Sequence, residues 1–253
     1  MCGRFVSASP PEELAAYFDV AEVVADRVLD ASYNVAPTDD VYVVLVDDGV
    51  RRLATHRWGL VPPWADDLRI GARMINARAE TVAERNGFKQ AFAARRCLIP
   101  ADGFYEWQVR PAEKRKQPMF IHRVDGEPFA FAGLWERWKD RRPGPDGGPA
   151  PWVRSCSIIT GAANDAVAPV HDRMPVALAP AAWATWLDPE VDDLDLLSAL
   201  LVPTPPEQVT LHPVSSRVND VRQDGPDLVE PAPLLDDDAA APMMLPGMEP
   251  NSR

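Results

Sequence analysis

The sequence is short of the features that place a chain in a membrane, an oxidising compartment or around a metal. No apolar run approaches the roughly 20 residues that a membrane-spanning helix requires. Residues 7–13 are polar and proline-containing, so no charged-then-apolar secretory signal is read, and a cytoplasmic protein is expected. Cysteine is scarce: Cys2, Cys97 and Cys156 are odd in number, widely spaced and form no CxxC pair. That excludes a disulfide framework and offers no zinc pattern. Histidine is scarcer in useful places, because His56, His122 and His212 sit in strand-like surroundings and only His171 does not. Positive charge is in deficit, 26 Lys and Arg against 38 Asp and Glu, and a net charge of −12 argues against indiscriminate binding to nucleic acid. There are no internal repeats.

What is present is an ordinary globular composition, 46% hydrophobic and 25% charged over 253 residues, enough for one sizeable core. The charge is segregated. Residues 69–96 carry seven Lys/Arg against two Glu, residues 110–123 five against one, and residues 225–253 six acids against one Arg. A basic face on an acidic protein is one reading, and solvated loops are the other.

Along the chain, Ser9-Pro10-Pro11-Glu12 has the form of a capping box, with Ser9 as N-cap of a helix presenting Leu14, Tyr17 and Phe18. The β-branched run 41–46 and residues 52–60 flank an Asp48-Gly49 hairpin turn. Trp58-Gly59-Leu60-Val61-Pro62-Pro63-Trp64 sets two tryptophans about a stiff Pro-Pro, as an aromatic platform or as a core cap. Residues 74–81 lead into a helical stretch with Phe88, Phe92 and Arg95. A short buried strand at 97–100 is followed by an Asp102-Gly103 turn and by Phe104-Tyr105-Glu106-Trp107. Strands at 119–124 and 127–135 read as a hairpin about Asp125-Gly126, and 141–151 as a Gly/Pro-rich loop. A buried strand at 155–160, a strand at 176–178, helices carrying Trp183 and Trp186 and then 194–201, and a strand at 209–214 complete the pattern. Many short strands with few helices, and no βαβ alternation, predict an α+β fold with a mainly antiparallel, barrel-like core and peripheral helices. One domain is expected over residues 2–224, with an acidic, Pro-rich and disordered tail over 225–253.

Chemistry centres on Cys2. A small residue after the initiator favours removal of Met1, which would leave Cys2 with a thiol and an α-amine on adjacent carbons. Their ordinary pKa values, about 8.5 and roughly 7.7–8.0, let modest tuning activate either group. Together they can condense with an aldehyde into a thiazolidine ring. Glu106 lies between aromatic neighbours, where desolvation would raise its pKa. His171 is a second proton-transfer candidate, and Asn76 and Arg78 offer donors to oxyanions or phosphates. Cys97 and Cys156 sit inside apolar runs and read as buried packing residues.

Seven motifs occur in the order of one family. They are Met1-Cys2-Gly3-Arg4-Phe5, Asn34-Val35-Ala36-Pro37, Trp58-Gly59-Leu60, Asn76-Ala77-Arg78-Ala79-Glu80-Thr81, Arg96-Cys97-Leu98-Ile99-Pro100, Gly103-Phe104-Tyr105-Glu106-Trp107 and His171-Asp172-Arg173-Met174-Pro175. Over about residues 2 to 222 the chain resembles the SOS response-associated peptidases, the SRAP family. The resemblance implies an abasic-site sensor that captures the ring-opened sugar of single-stranded DNA as a thiazolidine crosslink to Cys2 and shields the lesion at replication forks. By motif position, Cys2 would be the nucleophile, Asn76 would position the amine or sugar, and Glu106 and His171 would move protons. Arg78 would bind a neighbouring phosphate, with Arg4 and Trp64 as weaker carry-overs.

From the charge pattern, Arg73, Arg78, Arg85 and the 110–116 loop are candidates to line a groove for the backbone. Trp64 is a candidate to stack on a base. Fork or single-strand/double-strand junction DNA is the expected context, with a monomer, no membrane, no metal and no cofactor, and with nucleoid association during DNA damage. Three other readings stay open: a self-processing peptidase releasing the residue before Cys2, an N-terminal nucleophile glutamine amidotransferase, and a non-covalent single-strand-binding module.

Overall fold

The structure, a computed structural model, describes residues 2–25, 27–110, 115–140, 150 and 152–235. In chain order the elements are β1 (Phe5–Ser7), α1 (Pro11–Tyr17), β2 (Glu22–Val23), β3 (Ser32–Val35), β4 (Asp40–Asp47), β5 (Val50–Trp58), β6 (Asn76–Arg78), α2 (Lys89–Ala94) and β7 (Arg96–Ala101). There follow β8 (Gly103–Gln108), β9 (Gln117–Arg123), β10 (Phe129–Lys139), β11 (Trp152–Ala162), β12 (Arg173–Pro175), α3 (Pro180–Leu187), α4 (Leu194–Ala199) and β13 (Val209–Pro213).

Five strands close a barrel. β4 pairs antiparallel with β5 and β7, β10 pairs antiparallel with β7 and β11, and a parallel β5–β11 contact completes the ring. A second sheet, in the order β13-β9-β8-β1-β3, packs beside it. The fold is therefore α+β with a mainly antiparallel barrel. No helix of the described residues is long and apolar enough to cross a membrane.

The apolar runs lack polar alternation because both faces of the barrel strands are covered. Along β4, Val41, Val43 and Leu45 join Cys97, Ile99, Phe131, Cys156 and Ile158 in one cluster, the barrel interior. Tyr42 and Val44 point the other way, into a cluster with Leu14 of α1, Phe18 just after it and Trp183 of α3. Cys97 and Cys156 are thus packing residues, both fully buried. Gly133 stands opposite Cys97, and a Cβ there would meet its Sγ at 2.9 Å, so only glycine fits.

Several local readings give way to distant partners. The two strands either side of Asp125-Gly126 do not form a hairpin. β9 pairs with β8 and β13, whereas β10 pairs with β7 and β11, so this turn carries the chain between sheets. Asp102 likewise marks a passage from β7 of the barrel to β8 of the second sheet. Ser9 does not cap α1. Its hydroxyl donates to Asp102, whose carboxylate also accepts the Ala8 and Ser9 N–H groups at 2.6 and 3.0 Å, and Pro10 takes the cap position without a side-chain bond.

Arg96, counted with the basic face, is buried. It donates to the Phe92, Ala93 and Trp186 carbonyls (2.8, 2.6 and 2.7 Å), where α2 and α3 expose unpaired, partly negative ends. The ordered chain also continues past residue 224. Leu228 is fully buried, Ala232 N–H donates to the Pro213 carbonyl (2.9 Å) and Leu235 N–H to Gln117 Oε1 (2.7 Å), so residues 228–235 pack on the domain. Residues 236–253, most of the loop at 141–151, and residues 111–114 of the 110–116 loop lie outside the described residues.

Candidate functional site

β1 runs antiparallel to β8 with Phe5 opposite Phe104, and the Tyr105 N–H donates to the Arg4 carbonyl at 3.0 Å. Continued one step, that register sets Gly3 opposite Glu106 and leaves Cys2 alongside. From the other side, β6 lies parallel to β11 with Asn76 opposite Ile158, and Asn76 Nδ2 donates to the Cys2 carbonyl at 2.7 Å. The first residues are therefore held between two sheets, by a strand pairing and by one amide.

Three features make that route for β6. Gly59 has φ +121°, a left-handed conformation that favours glycine, and a Cβ on it would meet the Gly71 carbonyl oxygen at 2.6 Å. This close backbone crossing lets Leu60 N–H reach the Met74 carbonyl (3.2 Å). Trp58, fully buried, donates its indole N–H to the Ile75 carbonyl (3.0 Å), one residue before Asn76. The Trp58-Gly59-Leu60 motif is the footing on which Asn76 stands.

Cys2 is fully buried in the cluster that holds Phe5, Val35 and Trp58. Burial first, and then the negative charge of Glu106, push its thiol well above the ordinary range. Glu106, 3% exposed, follows the fully buried Tyr105. Burial raises its carboxyl above the usual carboxylate range, with the His171 ring among the charges pulling it back. Burial and the ionised carboxyl both disfavour the thiolate, whereas desolvation favours the protonated form of the carboxyl itself.

His171 ends a turn in which its N–H donates to the Val167 carbonyl (3.1 Å) and Asn164 Oδ1 accepts the Val167 N–H (2.9 Å). Its Nδ1 lies 3.0 Å from the Arg173 N–H and 2.9 Å from Asp172 Oδ1. One atom cannot serve both. The neutral ring with its hydrogen on Nε2 accepts from Arg173, and the protonated ring donates from Nδ1 to Asp172. A proton taken up at His171 therefore has a carboxylate waiting for it.

Cys2, Asn76, Glu106 and His171 are brought together. Arg78 stands two residues from Asn76, hence on the same face of β6, with its side chain exposed. Arg73 and Arg85 are exposed as well, and Trp64 is 54% exposed, unlike buried Trp58. Arg4 is spent on the scaffold: Nη1 donates to Asn34 Oδ1 (2.7 Å) and the Val218 carbonyl (2.9 Å), and the guanidinium lies 5.9 Å from the Trp107 ring centre. Asn34 in turn donates to the Asp220 and Gln223 carbonyls (3.1 and 2.7 Å), which ties the end of the domain to its beginning.

The residue that sequence reasoning passed over is Arg173. It grips Glu80 with two bonds (3.0 and 2.9 Å) and reaches the Thr160 carbonyl, joining the His171 motif to the Asn76 motif across β11. Opposite charges in two motifs were the available signal. A surface cavity of 590 Å³, lined by Arg27, Arg57 and Trp152 among others, contains none of the four groups, so chemistry rather than cavity size locates the site.

Known proteins resemble this chain over most of its length. The chain is 40% identical over 230 residues to the abasic site processing protein YoqW of Bacillus subtilis, covering 91% of this chain and 99% of that one. It is 31% identical to the abasic site processing protein YedK of Escherichia coli, over 91% of this chain and all of the other. A crystal structure of a Bacteroides thetaiotaomicron protein superposes with a TM-score of 0.77 at 25% identity, over 91% of this chain and 100% of that one. Residues 1–221 match the family model for SOS response associated peptidase, and they include the segment before β1 that carries Cys2, the β6 strand that holds it and the turn that carries His171. With the whole of that arrangement inside the matched span, the chain belongs to the SOS response associated peptidase (SRAP) family.

Proposed function

We propose that this chain processes abasic sites in single-stranded DNA by covalent capture on Cys2. The observation that carries the reading is the 2.7 Å bond from Asn76 to the Cys2 carbonyl, which holds residue 2 near a buried carboxyl that in turn feels the charge of His171. An amide that holds the backbone of residue 2 has little use in a core packing residue. It is useful where the amine and thiol of that residue must meet one electrophile.

With Met1 removed, the α-amine of Cys2 adds to the C1′ aldehyde of the opened deoxyribose and gives a carbinolamine. Protonation of its hydroxyl releases water and leaves an imine. Sγ then adds to the imine carbon, the thiol hydrogen ends on nitrogen, and the thiazolidine ring closes with one water lost overall. The thiol is held neutral by burial and by Glu106, so the amine is the better first nucleophile. Glu106 is suited to protonate the departing hydroxyl, because its raised pKa keeps an acid form at higher pH than an exposed carboxyl would. His171, with Asp172 ready to take its Nδ1 hydrogen, is suited to hold the proton between steps. Arg78, exposed beside Asn76, would meet a phosphate next to the lesion.

The test is intact mass after mixing the protein with single-stranded DNA carrying one abasic site. An adduct at the mass of the des-Met protein plus DNA minus water, absent from Cys2→Ala, is expected. No adduct from folded protein that has lost Met1 would reject covalent capture in favour of non-covalent binding.

A further inference from the structure

The outer ends of β10 and β11 form a two-stranded arm in which Arg137 is opposite Arg154 and Lys139 is opposite Trp152. These four alternate with Trp138, which points the other way into a cluster with Val61 and Ala65. Their face continues that of Trp135 and Cys156, which pack into the barrel interior. The arm, however, runs beyond the ring: β5 pairs with β11 at Ser155 and Cys156 only, so the last residues of the face have left the barrel. Trp152 is 60% exposed there, with the Arg137 guanidinium 5.8 Å and the Lys139 ammonium 5.7 Å from its ring centre.

Like charges directly opposite on paired strands destabilise a sheet. In a chain with twelve more acids than bases, carboxylates to neutralise them are abundant. Yet Arg137, Lys139 and Arg154 have no ion-pair partner among the described residues. Grooves of 590 and 570 Å³ flank the Trp152 ring, one reaching Arg57 and Arg154, the other Pro63, Arg137 and Lys139. Asp40 and Asp140 also border them, and Asp40 is paired with Arg27 at 3.0 Å. An exposed ring set among unneutralised cations fits a flexible polyanion that carries flat groups.

We propose that this arm is a second nucleic-acid contact, where single-stranded DNA flanking the reacting nucleotide stacks a base on Trp152 and sets phosphates against Arg137, Lys139 and Arg154. The inference rests on DNA being the substrate of the Cys2 site. Trp152 is six residues along β11 from Ile158, the partner of Asn76, or roughly 20 Å. A strand held at Cys2 must therefore continue for several nucleotides before it reaches the arm, and only long substrates feel it.

The experiment compares single strands of about five and about twenty nucleotides, within and beyond the usual footprint of such grooves. Trp152→Ala is expected to weaken non-covalent binding of the long undamaged strand about tenfold and to leave the short one unchanged, with Trp152→Phe restoring most of the loss. Arg137→Ala and Arg154→Ala should each flatten the salt dependence of long-strand binding by roughly 0.7 in log–log slope. Crosslinking to a short abasic strand should be untouched in all four variants. Wild-type affinity and slope in Trp152→Ala, Arg137→Ala and Arg154→Ala would overturn the inference. So would saturation of the arm by a polyglutamate peptide without response to DNA, which would assign it to an acidic protein. Length-dependent binding sensitive to Trp152 in a protein that never crosslinks would reject the capture chemistry and leave the arm's role standing.

Discussion

Cys2 and Cys97 are equally buried, and burial pushes both thiols up, yet their surroundings differ in kind. Around Cys97 the neighbours are Ile99, Gly133 and the second barrel thiol, Cys156, and its carbonyl accepts the Trp186 indole N–H at 2.9 Å. Around Cys2 the carbonyl is held by a polar amide, and a raised carboxyl stands close enough to an imidazole to be pulled back by its charge. Burial and a raised thiol therefore do not separate a reactive cysteine from an inert one. The neighbours that can move a proton do.

The comparison is broken most severely by exchanging its members. Cys97→Ala should keep full crosslinking in the intact-mass assay, whereas Cys2→Ala abolishes it. The first should instead lower stability by about 1–3 kcal/mol in urea melts, the range for a small cavity in a packed interior. Crosslinking that depends on Cys97 would overturn the assignment.

Next in size is Glu106→Gln, expected to slow capture by roughly 10²–10⁴-fold, the usual contribution of a positioned acid. Its stability effect has the opposite direction. Because the folded-state pKa is raised, the native protein favours the protonated carboxyl, and that advantage is complete below the unfolded pKa and lost as pH rises through the folded one. Glu106→Gln should thus melt above wild type at pH 8 and converge with it near pH 4. Equal melting at both pH values would mean that the carboxyl is not desolvated in solution. Asn76→Ala, which removes the hold on the Cys2 carbonyl, should cost about 10²-fold in capture rate through misplacement alone, with little change in the pH profile. A shifted profile would place Asn76 in proton transfer instead.

The legible parts of this protein were those written in short stretches. Apolar runs at 41–46 and 97–100 announced buried strands, and the desolvated surroundings of Glu106 followed from its aromatic neighbours. What stayed hidden depends on partners far along the chain. Ser9 and Glu12 spell a helix cap, but Asp102, some ninety residues away, takes the hydroxyl. Asp125-Gly126 spells a hairpin, and a two-residue signal cannot say that its flanks belong to different sheets. Arg96 counted as surface charge until two helix ends were seen to converge on it. The parallel β5–β11 contact that closes the barrel joins Arg57 to Ser155, with β6, α2 and β7 to β10 in between.

The smallest effect tests whether the two motifs around Cys2 are held as a unit, as the surroundings of Cys97 are by packing. Arg173 and Glu80 link them through a pair that is only partly sheltered, with Arg173 at 16% and Glu80 at 52% side-chain exposure. Solvent screening limits such a pair to about 0–1 kcal/mol of stability. Glu80 is held below the usual carboxylate range first by its hydrogen bonds to Arg173, so this contribution is present at neutral pH and is lost as pH falls through the lowered value. Glu80→Ala should therefore cost a few-fold in capture rate and little in stability, and Arg173→Ala somewhat more, since it also gives up the Thr160 carbonyl. A double-mutant cycle decides the matter. Coupling in the rate that exceeds coupling in stability would mean that the pair positions His171 against Asn76, whereas equal coupling in both would make it a surface ion pair with no hold on the chemistry.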